Sequence, residues 1–163
     1  MNGYQLRKED FHSNRLSRSE GNPELPGTTI EPQGRAGEAL HAALCQSIPA
    51  GPGQETVIRT FAAWPKEWDV EYTLLCHGGF LVTSSMQKGQ IEFVEVHSQL
   101  GGECRLRNPW GAGEVALCRD GKEWENRDAS LLKFETRKGE NVVVVKSGSS
   151  PDEFKRVVLG ENR

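Results

Sequence analysis

The sequence predicts a mainly β protein, an antiparallel β-sandwich with one short N-terminal α-helix and a loose N-terminal arm. Three observations lead there. After Glu55 the apolar residues fall in short runs, several of them alternating with period two. Turn chemistry separates the runs, at Lys88-Gly89, Gly101-Gly102, Asp120-Gly121 and Lys138-Gly139. One segment, "GRAGEALHAALCQS", instead sets apolar and small residues at helical spacing. Short strands joined by tight turns suit a sandwich or barrel.

Taken in order, residues 1–27 are polar, carry Pro23 and Pro26 and keep no period, so an extended or disordered arm is expected. Residues 28–54 are expected to hold the helix and a linker. Ala36, Leu40, Ala43, Leu44 and Ser47 share one helical face, and the helix should stop before Pro49 in the loop "PAGPGQ". A helix this short is marginal alone and must dock. Residues 55–163 should form the sandwich from "TVIRTFA", "GFLVTSSMQ", "QIEFVEVHS", "ECRLRN", "EVALCRD", "LLKFETRK" and "NVVVVKSG". In "IEFVEVHS", Ile91, Phe93 and either Glu95 or Val96 cannot all lie on one face, which calls for a bulge or burial on both sides. Between the first two runs, "AWPKEWDVEYTLLCHG" is broken by Pro65 and brings large aromatic area at Trp64, Trp68 and Tyr72. The tail "PDEFKRVVLGENR" reads as a last strand, a helical turn or a frayed end.

Composition narrows the function classes. The 163 residues suit one domain, or one domain and an appendage. Apolar residues make up 36 %, which implies a modest core. The net charge is −3 and Lys and Arg form no long run, so neither a nucleic-acid footprint nor a polybasic membrane anchor is expected. No apolar stretch is long enough to span a bilayer. The opening "MNGYQLRKEDFHSNRLSRSEG" lacks the apolar middle of a signal peptide, so a soluble chain without an address is expected. Cys45, Cys76, Cys104 and Cys118 form no C-x-x-C pair, and His12, His41, His77 and His97 lie at no metal-ligand spacing, so no metal and no cofactor is expected. Cys104 and Cys118 lie in neighbouring expected strands, where they can face one another. The alternative is four reduced thiols acting as small buried hydrophobes.

The chemistry-bearing candidates are few. A glycosidase needs two carboxylates serving one scissile bond. Glu31, in "TTIEPQGRAGEAL", stands just before the expected helix, where the N-terminal dipole favours an anion. It either polarises a water or merely stabilises the first turn. His77, in "CHGGF", precedes two glycines and either stands at the mouth of a cleft or is an ordinary loop histidine. Trp64, Trp68 and Trp110 have the aromatic faces that stack on a sugar ring, and serve equally as core plugs. There is no G-x-S-x-G, no Walker loop and no G-x-G-x-x-G before a helix.

Four phrases, "AALCQS", "TFAAWP", "HGGFLV" and "CRLRNPW", follow one another in this order between residue 28 and about residue 145. Their order and spacing resemble the C-terminal end of glycoside hydrolase family 95, which includes bacterial α-L-fucosidases and α-L-galactosidases. The resemblance implies the last helix of a catalytic barrel of paired helices, followed by the family's C-terminal β-sandwich. It implies that Glu31 falls on an acidic position that helps polarise the hydrolytic water, although Pro32-Gln33-Gly34 replaces the asparagine or glycine usual after it. The family's general acid and water-holding asparagines lie upstream of anything matched here. The N-P-W phrase would close a sandwich strand: Pro109 cannot donate to a ladder, and Trp110 would pack over the sandwich end. Arg105 and Arg107 share one face by period two, which should be solvated or meet a neighbouring domain.

The leading expectation is therefore a non-catalytic C-terminal module that braces a glycoside hydrolase barrel and lends one wall of a sugar cleft through Glu31 and His77. Its partner would be that barrel, or a second copy through an exposed helix face of Ala36, Leu40 and Leu44. The second is a free-standing carbohydrate-binding sandwich with Trp64, Trp68 or Trp110 exposed side by side. The third, a hydrolase active alone, requires a second carboxylate facing Glu31, at about 6.5–9.5 Å for inversion.

Overall fold

The structure, a computed structural model, describes residues 5–6, 15–17, 27–49, 51–111, 113–119 and 122–154, with side chains described from Gly34 onward. The chain divides between Ala42 and Ala43 into two compact units. In the first, β1 (Gln5–Leu6), β2 (Arg15–Ser17) and β3 (Gly27–Thr29) pair antiparallel in the order β1-β3-β2. The expected arm is thus strand where it is described, and its other residues lie outside the described ones.

Helix α1 (Ile30–Leu44) begins earlier and ends earlier than the spacing predicts. Pro32 sits in the first turn, where its missing N–H costs nothing, so Ile30 and Glu31 are helical rather than leading in. At the other end "CQSIP" leaves the helix for β4 (Cys45–Pro49), which pairs residue by residue with β5 (Thr56–Thr60), from Cys45 opposite Thr60 to Pro49 opposite Thr56. Strand pairing outweighs a helical continuation here, and the sandwich starts at Cys45 rather than Glu55. The last turn of α1 is closed by its neighbour. Phe61 N–H donates to the Leu44 carbonyl at 2.5 Å and Ala63 N–H to the Ala43 carbonyl at 3.2 Å, so two carbonyls without helical partners are satisfied.

The second unit is a two-sheet sandwich. It continues with β6 (Val70–Cys76), β7 (Phe80–Gln87), β8 (Gln90–Ser98), β9 (Gly102–Arg107), β10 (Glu114–Arg119), β11 (Lys122–Asp128), β12 (Leu131–Thr136) and β13 (Glu140–Lys146). One sheet has the order β11-β10-β13-β8-β7-β6 and the other β12-β9-β5-β4. Every pair is antiparallel except β5 with β9, where Ile58 lies opposite Leu106. The core lies between the sheets. Leu106, Leu132 and Cys104 of the smaller sheet meet Val82, Val94, Val96, Val115, Leu117, Val142 and Val144 of the larger, all fully buried. Alternate residues face out, as period two requires. A second cluster, Ala116, Cys118 and Val145 with Phe93, covers the outer face of the larger sheet. There the short 3-10 turn Pro151–Phe154 stacks Phe154 on Phe93.

The Cys104–Cys118 juxtaposition does not occur. Cys104 points into the core from the smaller sheet, whereas Cys118 lies in the outer cluster of the larger one, and all four cysteines are free thiols. The bulge does occur. The register of β7 with β8 shifts between Ser85 and Met86, and the extra residue Glu92 accepts the Ser85 hydroxyl at 2.7 Å. The turn after it holds Lys88 at φ 51° and Gly89 at φ 73°, the left-handed pair that two-residue hairpins prefer. Strands β4, β6 and β11 are absent from the sequence reading. β6 starts at Val70, past the turn that follows Pro65, and β11 is a charged edge strand, "KEWENRD", with no buried residue. Its place comes from pairing with β10 and not from an apolar pattern.

Two polar interlocks join the sheets. Thr136 of β12 donates to Ser98 of β8 at 2.8 Å, and Ser98 in turn accepts Gly101 N–H at 3.0 Å. Arg119 of β10 binds Glu140 of β13 at 2.5 Å and the Glu135 carbonyl of β12 at 2.6 Å, with its guanidinium 3.8 Å from the ring centre of Trp124. Desolvation alone would raise the Glu140 carboxyl. The Arg137 backbone N–H and the Arg119 guanidinium outweigh it and hold the group below its ordinary value of 4.5. A carboxyl depressed on folding stabilises the native state above its unfolded pKa, and that contribution fades as pH falls through the folded value. Stability should therefore drop below about pH 4.5, and Glu140→Gln should make that drop shallower. Urea denaturation of both proteins at neutral and acid pH checks this, and identical acid losses would exclude Glu140 as a linked group.

Candidate functional site

Of the residues singled out by sequence, Glu31 lies in the first turn of α1, and its side chain is outside the described residues. Whether a second carboxylate faces it is likewise outside them. The other four fall in three separate places: His77 after β6, Trp64 and Trp68 before it, and Trp110 in the turn after β9.

His77 follows β6 and is exposed at the rim of a small cleft of about 170 Å³. The cleft forms where β5 and β9 begin and the β6–β7 turn overhangs them. These strands run parallel, so their leading residues Glu55 and Glu103 come to the same end. Arg105, the fourth residue of β9, reaches Glu55 at 3.1 Å and Glu103 at 2.5 Å. The backbone N–H of His77 donates to the Ser47 hydroxyl at 2.8 Å and ties the turn to β4. A histidine at a cleft mouth is therefore what the structure places here. Both carboxylates beside it are engaged by one guanidinium. Elsewhere, Glu125 is held low by its hydrogen bond from Arg127, and Glu140 is held low as described. No group of three or more metal-ligating side chains occurs among the described residues.

Trp64 and Trp68 precede β6. Their rings meet edge to face at 5.8 Å, and the Trp64 indole N–H donates to the Trp68 carbonyl at 2.9 Å. Trp68 is 56 % exposed. Trp110 behaves differently. It packs on the core, and its indole N–H donates to the Ile91 carbonyl at 3.1 Å. It is a plug over the sandwich end and not part of an exposed aromatic row.

Asn108 is the residue that organises the N-P-W phrase, and it is only 4 % exposed. Its amide donates to the Gly113 carbonyl at 3.0 Å and the Ala129 carbonyl at 3.1 Å, while its oxygen accepts Trp110 N–H at 3.0 Å. Arg105 and Arg107 do share the outer face of their strand. Arg105 is neutralised as above, whereas Arg107 is exposed and flanks an open groove of about 390 Å³ with Arg59 of the neighbouring strand. Arg59 also donates to the Ile48 carbonyl at 3.2 Å.

Sequence reasoning missed one further cluster. Cys45 and Cys76 bring their sulfur atoms to 3.4 Å between β4 and β6, beneath Tyr72. Their separation of 31 residues carries no motif, so only the crossing of the two strands could reveal it. Among the described residues no helix is long and apolar enough to cross a membrane. No protein-family model matches the chain, and no curated protein matches it.

Proposed function

We propose that the chain is the non-catalytic C-terminal β-sandwich module of a glycoside hydrolase of the α-L-fucosidase type, resembling family 95, whose role is to brace a catalytic barrel and wall one side of its sugar cleft. The observation that carries the reading is the junction around β4. "AALCQS" is bonded to "TFAAWP" through Leu44 with Phe61 and Ala43 with Ala63. It is bonded to "CHGGF" through Ser47 with His77 and meets it through Cys45 with Cys76. "CRLRNPW" borders the same strands, with Arg107 beside Arg59. The phrases that carry the resemblance thus converge on the place where a helix hands over to a sandwich. Phe61 holds a φ of 51° there, a strained setting for a bulky residue, with its ring edge-on to Tyr72 at 5.3 Å. Leu40, on the helix face expected to meet a partner, is 39 % exposed.

Purified alone, the chain is expected to release no nitrophenol from aryl α-L-fucosides or α-L-galactosides. Co-expressed with a barrel polypeptide encoded upstream of Met1, it is expected to co-purify with it and raise its turnover. Turnover by the isolated chain overturns the non-catalytic role. Upstream DNA that encodes no barrel overturns the family assignment.

A second reading, a free-standing glycan-binding sandwich, is favoured only by Trp68. It predicts micromolar to millimolar glycan binding, read by tryptophan fluorescence, that Trp68→Ala abolishes and Trp110→Phe leaves intact.

A further inference from the structure

We propose that Cys45 and Cys76 are a modification site, a buried thiol pair that a low-molecular-weight disulfide such as oxidised glutathione converts to an intrachain disulfide stapling β4 to β6. The sulfur atoms stand at 3.4 Å, and a bond requires about 2.0 Å, an approach of little more than an ångström. The two strands can supply that movement. β4 is an edge of the smaller sheet and β6 an edge of the larger, so each is paired on one side only. Cys45 is the first residue of β4 and Cys76 the last of β6, so both sit where the ladder ends. The hydrogen bond from His77 N–H to Ser47 already holds the two segments together. The surroundings also select this pair. Cys104 is sealed in the core and Cys118 lies on the far face of the larger sheet.

The thiols are unequal. The hydrogen bond between the two sulfur atoms pulls the Cys45 thiol below its ordinary value and pushes Cys76 up. Cys45 is therefore the attacking thiolate. It displaces one small thiolate from the disulfide and forms a mixed disulfide. Cys76 then gives up its proton and attacks Cys45 Sγ, expelling the second small thiolate. Two protein thiols are oxidised, one small disulfide is reduced to two thiols, and the two protein protons go to the leaving thiolates.

The test equilibrates the purified chain with graded mixtures of reduced and oxidised glutathione under native conditions, followed by acid quench, thiol titration in denaturant and peptide mapping. The titratable thiols should fall from four to two, with Cys45 and Cys76 in one cross-linked peptide. The Tm should rise by on the order of 10 °C and return on reduction. Cys76→Ala should lose the bridge and carry one glutathione on Cys45 instead. Four thiols persisting in fully oxidised glutathione, a stable mixed disulfide on the unmutated chain, or a bridge to Cys104 or Cys118 would each overturn the proposal. The unmutated chain decides the matter even if the variant does not fold.

Discussion

Replacing Asn108 with alanine is expected to destabilise the folded chain by about 3 kcal/mol. The side chain is 4 % exposed and makes three hydrogen bonds, to the Gly113 and Ala129 carbonyls and from Trp110 N–H. Alanine leaves all three backbone groups without that partner in a site closed to water, and each unsatisfied group costs about 1–3 kcal/mol, less what the loop recovers by shifting. Asn108→Asp tests the same point more finely. A carboxylate still accepts from Trp110 but faces the Gly113 and Ala129 carbonyls with no donor. It should be at least as damaging as alanine at neutral pH. Urea denaturation is the measurement, with the midpoint falling and the slope unchanged. A loss under about 1 kcal/mol for Asn108→Ala would mean the loop is held by Pro109 and Trp110 without it.

Trp110→Ala is expected to cost about 3 kcal/mol, while Trp68→Ala should stay within about 0.5–1 kcal/mol. The contrast separates two tryptophans that the sequence presents alike. Trp110 lays its ring on the core cluster and donates to the Ile91 carbonyl, so truncation opens a cavity and orphans an acceptor. Trp68 has 56 % of its surface in water and loses only the edge contact with Trp64. Parallel denaturation curves settle the comparison. A destabilisation at Trp68 equal to that at Trp110 would remove the case for Trp68 as an exposed ligand platform, and with it the glycan-binding reading.

The sequence by itself determined the class of fold, because period-two alternation and turn residues are local properties of the chain. "NVVVVKSG" and "LLKFETRK" lie in β13 and β12 on that signal alone, and Lys88-Gly89 makes its hairpin turn. It also called for a bulge or burial on both sides in "IEFVEVHS", and the register shift between Ser85 and Met86 supplies the bulge. Where neighbours decide conformation, the sequence was silent or misleading. "CQSIP" has helical spacing before it and becomes a strand only because β5 offers a partner. "KEWENRD" has no apolar pattern and is a strand only because β10 ends in an unpaired edge. The same limit applied to the candidate site. His77 was legible as either a cleft-mouth residue or an ordinary loop histidine, and the N-P-W phrase as a strand end from its proline. The partners that give those residues meaning, Ser47 for His77 and the Gly113 and Ala129 carbonyls for Asn108, come from other strands. The thiol pair was beyond reach for the same reason. Cys45 and Cys76 belong to different sheets, and two edge strands crossing over a shared core brought together what no spacing along the chain encodes.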